Sequence, residues 1–168
     1  LGIDSSTQSV KVLLCESQSG EVLASASAPH PQGTEVDPHH WWKALNDALS
    51  DKNISDSAER DQIASLSIAG QQHGLVLLDE GGEIIRPALL WNDVRSASQA
   101  EVINQEFSDI AMRTGSSLVA SFTASKLRWV YENEPKNAQR IAAVCLPHDW
   151  LTWKLSGSKK IEDITTDR

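Results

Sequence analysis

The chain has 168 residues, with 15 Lys and Arg against 23 Asp and Glu, giving a formal net charge of −8. That length is about one domain, and with 40% hydrophobic residues it can bury a core, which excludes wholesale disorder. The acidic balance argues against a nucleic-acid partner, because a phosphate backbone needs a basic face. The longest apolar runs, such as Ala88–Trp91, fall far short of the ~20 residues that span a bilayer.

Residues Leu1–Asp4 are predicted to form a short strand, followed by a polar turn over Ser5–Ser9 and a second strand in which Val10, Val12 and Leu14 alternate. A turn at Gln18–Glu21 leads to a third strand, Val22–Ala28. Three strands joined by tight turns imply an antiparallel meander, since parallel strands need a long crossover. His30–Val36, with two prolines and a glycine, is expected to be loop. Asp37 is placed to cap a helix, Pro38 suits its first position, and Trp41, Trp42, Leu45, Ala48 and Leu49 recur at helical spacing.

Asn53–Asp61 reads as loop or a fraying helix end. Strands are expected at Ile63–Ala69 and Leu75–Leu78, with Gly70-Gln71-Gln72-His73-Gly74 between them. A turn at Glu80–Glu83 leads to Ile84–Trp91, whose proline limits it to an edge strand. Helices are predicted over Val94–Phe107, Ser108–Thr114 and Ala124–Glu132 (with Thr123 as N-cap). Further on come a short helix at Pro135–Gln139, a strand at Ile141–Leu146 and a helix at His148–Leu155 closed by Gly157. This order spells a mixed α/β layer architecture. The two cysteines, Cys15 and Cys145, lie in apolar runs, and there is neither a CxxC nor a secretory leader pattern. The expected compartment is the cytoplasm, where the glycosylation-like triplet Asn53-Ile54-Ser55 has no role.

No phosphate-loop, dinucleotide, zinc-protease or hydrolase motif is present. His39 and His40 are adjacent on a helix, so they point about 100° apart and read as a solvated helix start rather than a metal pair. Four segments can carry chemistry. Asp4 ends a strand and is followed by the hydroxyl-rich turn Ser5-Ser6-Thr7-Gln8-Ser9. A strand-end carboxylate can hold a hydrated Mg²⁺ and such a turn can face phosphate, although an ordinary polar hairpin explains the stretch as well. Gln71-Gln72-His73-Gly74 places polar groups inside β sequence, either as a ligand site or as a satisfied structural histidine. Trp91-Asn92-Asp93-Val94-Arg95 offers an aromatic platform with directional polar groups; equally, Trp91 is core and Asp93 caps the next helix. Phe122–Trp129 reads by itself as a helix start with an apolar face.

In this order the segments resemble the N-terminal half of the FGGY carbohydrate kinases, most closely their xylulokinase branch. The matching residues are GIDSSTQSVK at 2–11, Asp37-Pro38-His39-His40-Trp41-Trp42, AGQQHG at 69–74, RPALLWNDVR at 86–95, FTASKLRW at 122–129 and LPHDWLTWKLSG at 146–157. The QxHG element separates xylulokinase-like members from glycerol kinases. Many members carry Gly at the position of Ser6, Met at that of Gln72 and Pro at that of Ser125.

The resemblance implies an actin-like, ribonuclease-H-like ATPase domain, incomplete here. Residues 1–168 would be the N-terminal part of the first kinase domain. The rest of that domain, with the base aspartate, and the nucleotide-binding second domain would lie outside them. It further implies ATP-dependent phosphorylation of D-xylulose with Mg²⁺, and no kinase activity in these residues alone. Alternatives are another FGGY substrate (ribulose, gluconate or glycerol) or a non-catalytic sugar-binding module. By resemblance Asp4 assists catalysis and holds Mg²⁺ through water, with Ser6, Thr7 and Gln8 close to phosphate. Gln72 and His73 hold the ketose, with Trp91, Asn92 and Asp93 nearby. Partners would be the ketose and ATP, with no nucleic acid or membrane, and a homodimer of the complete protein is compatible with the family.

Overall fold

The computed structural model describes residues 1–166, which divide into two compact units. The first unit comprises Leu1–Gln32 and Asp37–Gln71. Its sheet has the order β3-β2-β1-β5, with β1 at Gly2–Ser5, β2 at Ser9–Cys15, β3 at Val22–Pro29 and β5 at Ser67–Gly70. The expected meander is present: β1 pairs antiparallel with β2 (Asp4 opposite Lys11) and β2 with β3 (Val12 opposite Ala26). Val10, Val12 and Leu14 are buried while Lys11 and Leu13 are exposed, as the two-residue period of a half-buried strand requires.

Helix α1 (Pro38–Leu49) covers the buried face of β2 and β3 with Trp41, Ala44, Leu45 and Ala48. Asp37 caps it, its carboxylate accepting the His39 N–H at 2.9 Å, and Pro38 fills the first turn. Replacing Asp37 with alanine removes this cap and is expected to lower the unfolding free energy by ~1 kcal/mol, read as a lower urea midpoint at unchanged slope. Helix α2 (Lys52–Ser55) and a 3₁₀ turn at Arg60–Gln62 occupy the polar stretch that followed α1 in the prediction. The chain then returns to β5, parallel to β1. The strand predicted from Ile63 begins only at Ser67, with Leu1 still bonded to Ser65 and Ser67 ahead of it, and Ile63 and Leu66 are exposed.

The second unit comprises Gly33–Val36 and the described residues from Gln72 onward. The predicted loop His30–Val36 contains a two-residue strand, β4 (Glu35–Val36), which pairs antiparallel with β7 (Ala88–Leu89). A second ribbon joins β6 (Val76–Leu78) to β8 (Ala143–Cys145), and Leu75 bridges Leu89. The strands expected over Ile84–Trp91 and Ile141–Leu146 are thus confined to the few residues that find a partner. Helices α3 (Ala97–Glu106), α4 (Ile110–Thr114), α5 (Thr123–Asn133), α6 (Pro135–Ala138) and α7 (Pro147–Ser156) complete the unit.

Its core gathers Leu75, Leu77, Ile85, Leu89 and Val130, with Leu127 and Trp129 packed against it. Full burial of each such side chain stabilises the fold by roughly 1.5–3 kcal/mol. Two predicted caps shift. Thr123 is the first helical residue of α5, with Phe122 in extended geometry at the cap. Asp93 does not cap α3, which starts after Ser96, because its carboxylate is turned to Arg95 instead. Cys145 is a buried free thiol, and burial with the nearby Asp149 pushes its pKa up to about 12, so it behaves as a small apolar group. Among the described residues no helix is long and apolar enough to cross a membrane.

Candidate functional site

In the first unit, Asp4 lies in β1 between Lys11 of β2 and Ala69 of β5, with its side chain exposed. The Ser6 hydroxyl lies 2.8 and 2.9 Å from the two Asp4 carboxylate oxygens and donates to them. The turn closes through the Ser6 N–H on the Ser9 carbonyl at 3.1 Å, with Thr7 half-buried and Gln8 exposed. His30, assigned from sequence only to a loop, clasps this turn from β3's end. Its N–H donates to the Gln8 carbonyl at 2.8 Å and its Nδ1 lies 2.9 Å from the Ser6 carbonyl. A carbonyl only accepts, so Nδ1 carries the proton. Burial lowers the His30 pKa although the Ser6 bond acts the other way, which keeps the ring neutral.

Mg²⁺ is usually held by one or two carboxylates together with waters and substrate phosphates, not by an all-protein cage. Asp4 fits that pattern as a single accessible carboxylate. Among the described residues no group of three or more His, Cys, Asp or Glu could hold a metal, and His39 and His40 are both exposed on the helix start.

In the second unit, Leu75 and Leu89 form an antiparallel bridge, the Leu75 N–H donating to the Leu89 carbonyl at 2.8 Å. In an antiparallel pair, the residues before Leu75 and those after Leu89 emerge at the same end. Gln72 and His73 therefore leave this pair at the same end as Trp91, Asn92 and Asp93. Gln72 is exposed, His73 is half-buried, and Trp91, expected as either core or platform, is 47% exposed. The Asn92 amide donates to the Gly33 carbonyl at 3.2 Å. Asp93, 3% exposed, accepts from the Arg95 guanidinium at 2.9 Å on each oxygen. Burial by itself would raise the Asp93 carboxyl, but hydrogen bonds from Arg95 and Thr34 hold it below the usual carboxylate value. Arg95 also pairs with Glu35 of β4, and Glu35 takes Arg86 at 3.1 Å. Both guanidiniums lie over Trp129, at 4.9 Å for Arg95 and 5.9 Å for Arg86.

His73 is the one residue other than glycine with a positive φ among the described residues, at 60°. Its ring lies 4.6 Å from that of Phe122, tilted by 31°. Burial, and then the neighbouring Lys126 ammonium, lower its pKa, so the imidazole is neutral near pH 7 and offers one donor and one acceptor. Lys126, fully buried in α5, donates to the His73 carbonyl at 2.8 Å and to the Ser121 carbonyl. Burial pushes the Lys126 ammonium down to about 8, against the pull of Asp93. Neither Lys126 nor Trp129 stood out in a segment that read as an ordinary helix start.

Gly74 lies beside Pro147, and a Cβ there would sit 2.5 Å from the Pro147 Cγ. A proline ring cannot rotate away. Gly74→Ala is therefore expected to destabilise the protein by ~1–3 kcal/mol, measurable by denaturation, and to displace the adjoining His73.

The description "FGGY family of carbohydrate kinases, N-terminal domain" matches residues 1–167. The chain belongs to the FGGY family of carbohydrate kinases. This FGGY chain is 49% identical over 175 aligned residues to a xylulose kinase of Streptomyces coelicolor, a match covering 100% of the chain and 34% of that relative. A xylulose kinase of Escherichia coli is 39% identical, over 94% of the chain and 33% of its own length. The solved xylulose kinase of Bifidobacterium adolescentis superposes with a TM-score of 0.86 at 38% identity, over 98% of the chain and 35% of that protein. The chain thus spans about a third of the length of each of these three relatives. Its fold is the one expected for the family, an α/β actin-like architecture with a mixed sheet and flanking helices.

Proposed function

We propose that the whole protein containing these residues transfers the γ-phosphoryl group of ATP to the 5-hydroxyl of D-xylulose, giving D-xylulose 5-phosphate and ADP. The observation carrying this reading is the 49% identity to a xylulose kinase along the entire chain. These residues supply the sugar-holding part of the first kinase domain. The rest of that domain, with the base aspartate, and the nucleotide-binding domain lie outside them. The activity is placed in the cytoplasm, with no nucleic acid or membrane as partner.

Phosphoryl transfer depends on alignment and charge neutralisation more than on covalent help from the protein. His73, neutral, is suited to donate one hydrogen bond to a sugar hydroxyl and accept another, while Gln72 adds an exposed amide and Trp91 an apolar ring for the C–H face. His73 is not the base in this scheme; it orients the ketose. Asp4 would hold Mg²⁺ through water, with Ser6, Thr7 and Gln8 beside the phosphates, and the ion when bound offsets their negative charge. Ser6 and His30 fix the Asp4 turn by the hydrogen bonds described above.

The test is a panel of D-xylulose, ribulose, gluconate and glycerol with ATP and Mg²⁺ and the complete protein. D-Xylulose is expected to give the highest kcat/KM. Equal or better turnover of gluconate or glycerol overturns the substrate, and no phosphorylation of any sugar overturns the kinase in favour of a binding module.

A further inference from the structure

We propose that Lys126 is a positioning residue for the ketose site, its buried ammonium fixing the left-handed backbone of His73 and so the aim of the imidazole. The inference rests on the reading of His73 as a sugar ligand but concerns a residue to which that reading gives no role.

Three observations converge. A side chain with a Cβ is disfavoured at φ 60°, and such a conformation persists only where its surroundings over-determine it. The group that holds it is the Lys126 Nζ, 2.8 Å from the His73 carbonyl. The same ammonium holds the carbonyl of Ser121, the residue before Phe122, whose ring lies 4.6 Å from the imidazole. One cation therefore secures both partners of the ring pair. The ammonium is also costly to keep there: Lys126 has 0% exposure, and its hydrogen bonds go to carbonyls instead of a carboxylate. An apolar side chain would fill the space without desolvating a charge. What an apolar residue cannot do is orient the His73 carbonyl. Helix α5 supplies a rigid base, since Val130, one turn on, is fully buried in the unit's core.

The decisive variant is Lys126→Met in the complete protein, which keeps the length of the side chain and removes its donors. The KM for D-xylulose is expected to rise at least ~10-fold while the KM for ATP stays within ~2-fold, as loss of a pre-organised sugar contact predicts. Made in a His73→Ala background, the same change should add less than ~2-fold, because residues that act as a unit are not additive. A D-xylulose KM within ~2-fold of wild type, or an equal factor in both backgrounds, overturns the proposal.

A second readout needs neither the variant nor turnover. The groups whose charge bears on Lys126 are His73, which titrates below its usual value, and Asp93, already ionised well below neutrality. The NMR signal of the His73 ring, assigned by its loss in His73→Ala, should therefore show a second inflection, besides its own, at whatever pH the Lys126 side-chain signal shows loss of its proton. A Lys126 titration that leaves the His73 ring signal unmoved overturns the proposal even if Lys126→Met fails to fold. Should the wild type phosphorylate no pentulose, the kinase reading falls while this signal still decides the role of Lys126.

Discussion

In the complete protein, His73→Ala should raise the KM for D-xylulose by ~10- to 100-fold and leave the KM for ATP nearly unchanged. A site built to hydrogen-bond a substrate hydroxyl loses ~1–3 kcal/mol when the protein partner is removed, and each 1.4 kcal/mol is about a factor of ten. The imidazole suits this task because burial and the Lys126 ammonium keep it neutral, so it has a donor and an acceptor at once. Protonation would replace the acceptor with a second donor and set two positive charges against each other. Binding of the ketose should accordingly be strongest near pH 7, where His73 is neutral and Lys126 still charged, and weaken at pH values well below 6.5, where the ring gains its proton. Steady-state kinetics with D-xylulose varied at saturating ATP measures both effects. An unchanged KM removes His73 from the pocket.

The parts of the fold that sequence made legible are those governed by local rules. The alternation Val10, Val12, Leu14 and the tight turns around it predict the meander, and Asp37-Pro38 marks the start of α1 to the residue. Pairings between distant segments were not legible. Glu35–Val36 becomes a strand only because Ala88–Leu89 lies alongside, and nothing in a proline-rich loop announces that partner. Apolar content misled at Ile63–Leu66, where the alternation continues but the strand itself starts at Ser67 and both Ile63 and Leu66 are exposed.

The candidate site divides in the same way. Gln72, His73 and Trp91 were visible as polar or aromatic breaks in β sequence. His30 and Lys126 were not, because their roles consist of bonds to the carbonyls of Ser6, His73 and Ser121, and carbonyl positions leave no mark on side-chain patterns. A lysine on a helix ordinarily points to water. One with 0% exposure is informative only once the tertiary structure is known.

Asp4 is the point at which charge, and not shape, carries the proposed chemistry, and one isosteric change separates the two. Asp4→Asn keeps an oxygen to accept from the Ser6 hydroxyl, so the turn closed by Ser6 and clasped by His30 should persist. The side chain is exposed, so folding stability should change little, as for most surface substitutions. What is lost is the negative charge that would sit beside metal-bound phosphate. Asp4 would act through the Mg²⁺ it holds, and an ion that neutralises charge developing on the phosphoryl group contributes on the order of 100- to 1,000-fold in kcat. The expected result for Asp4→Asn in the complete protein is therefore a kcat lower by ~100-fold or more, with the KM for D-xylulose within ~3-fold. The opposite pattern, a raised sugar KM with kcat intact, would transfer Asp4 from the phosphate side of the reaction to the ketose. A kcat within ~2-fold of wild type would leave the hydroxyl-rich turn as an ordinary hairpin. Paired with His73→Ala, the variant tests the proposed division of labour directly: one residue is expected to act through KM for the sugar, the other through kcat.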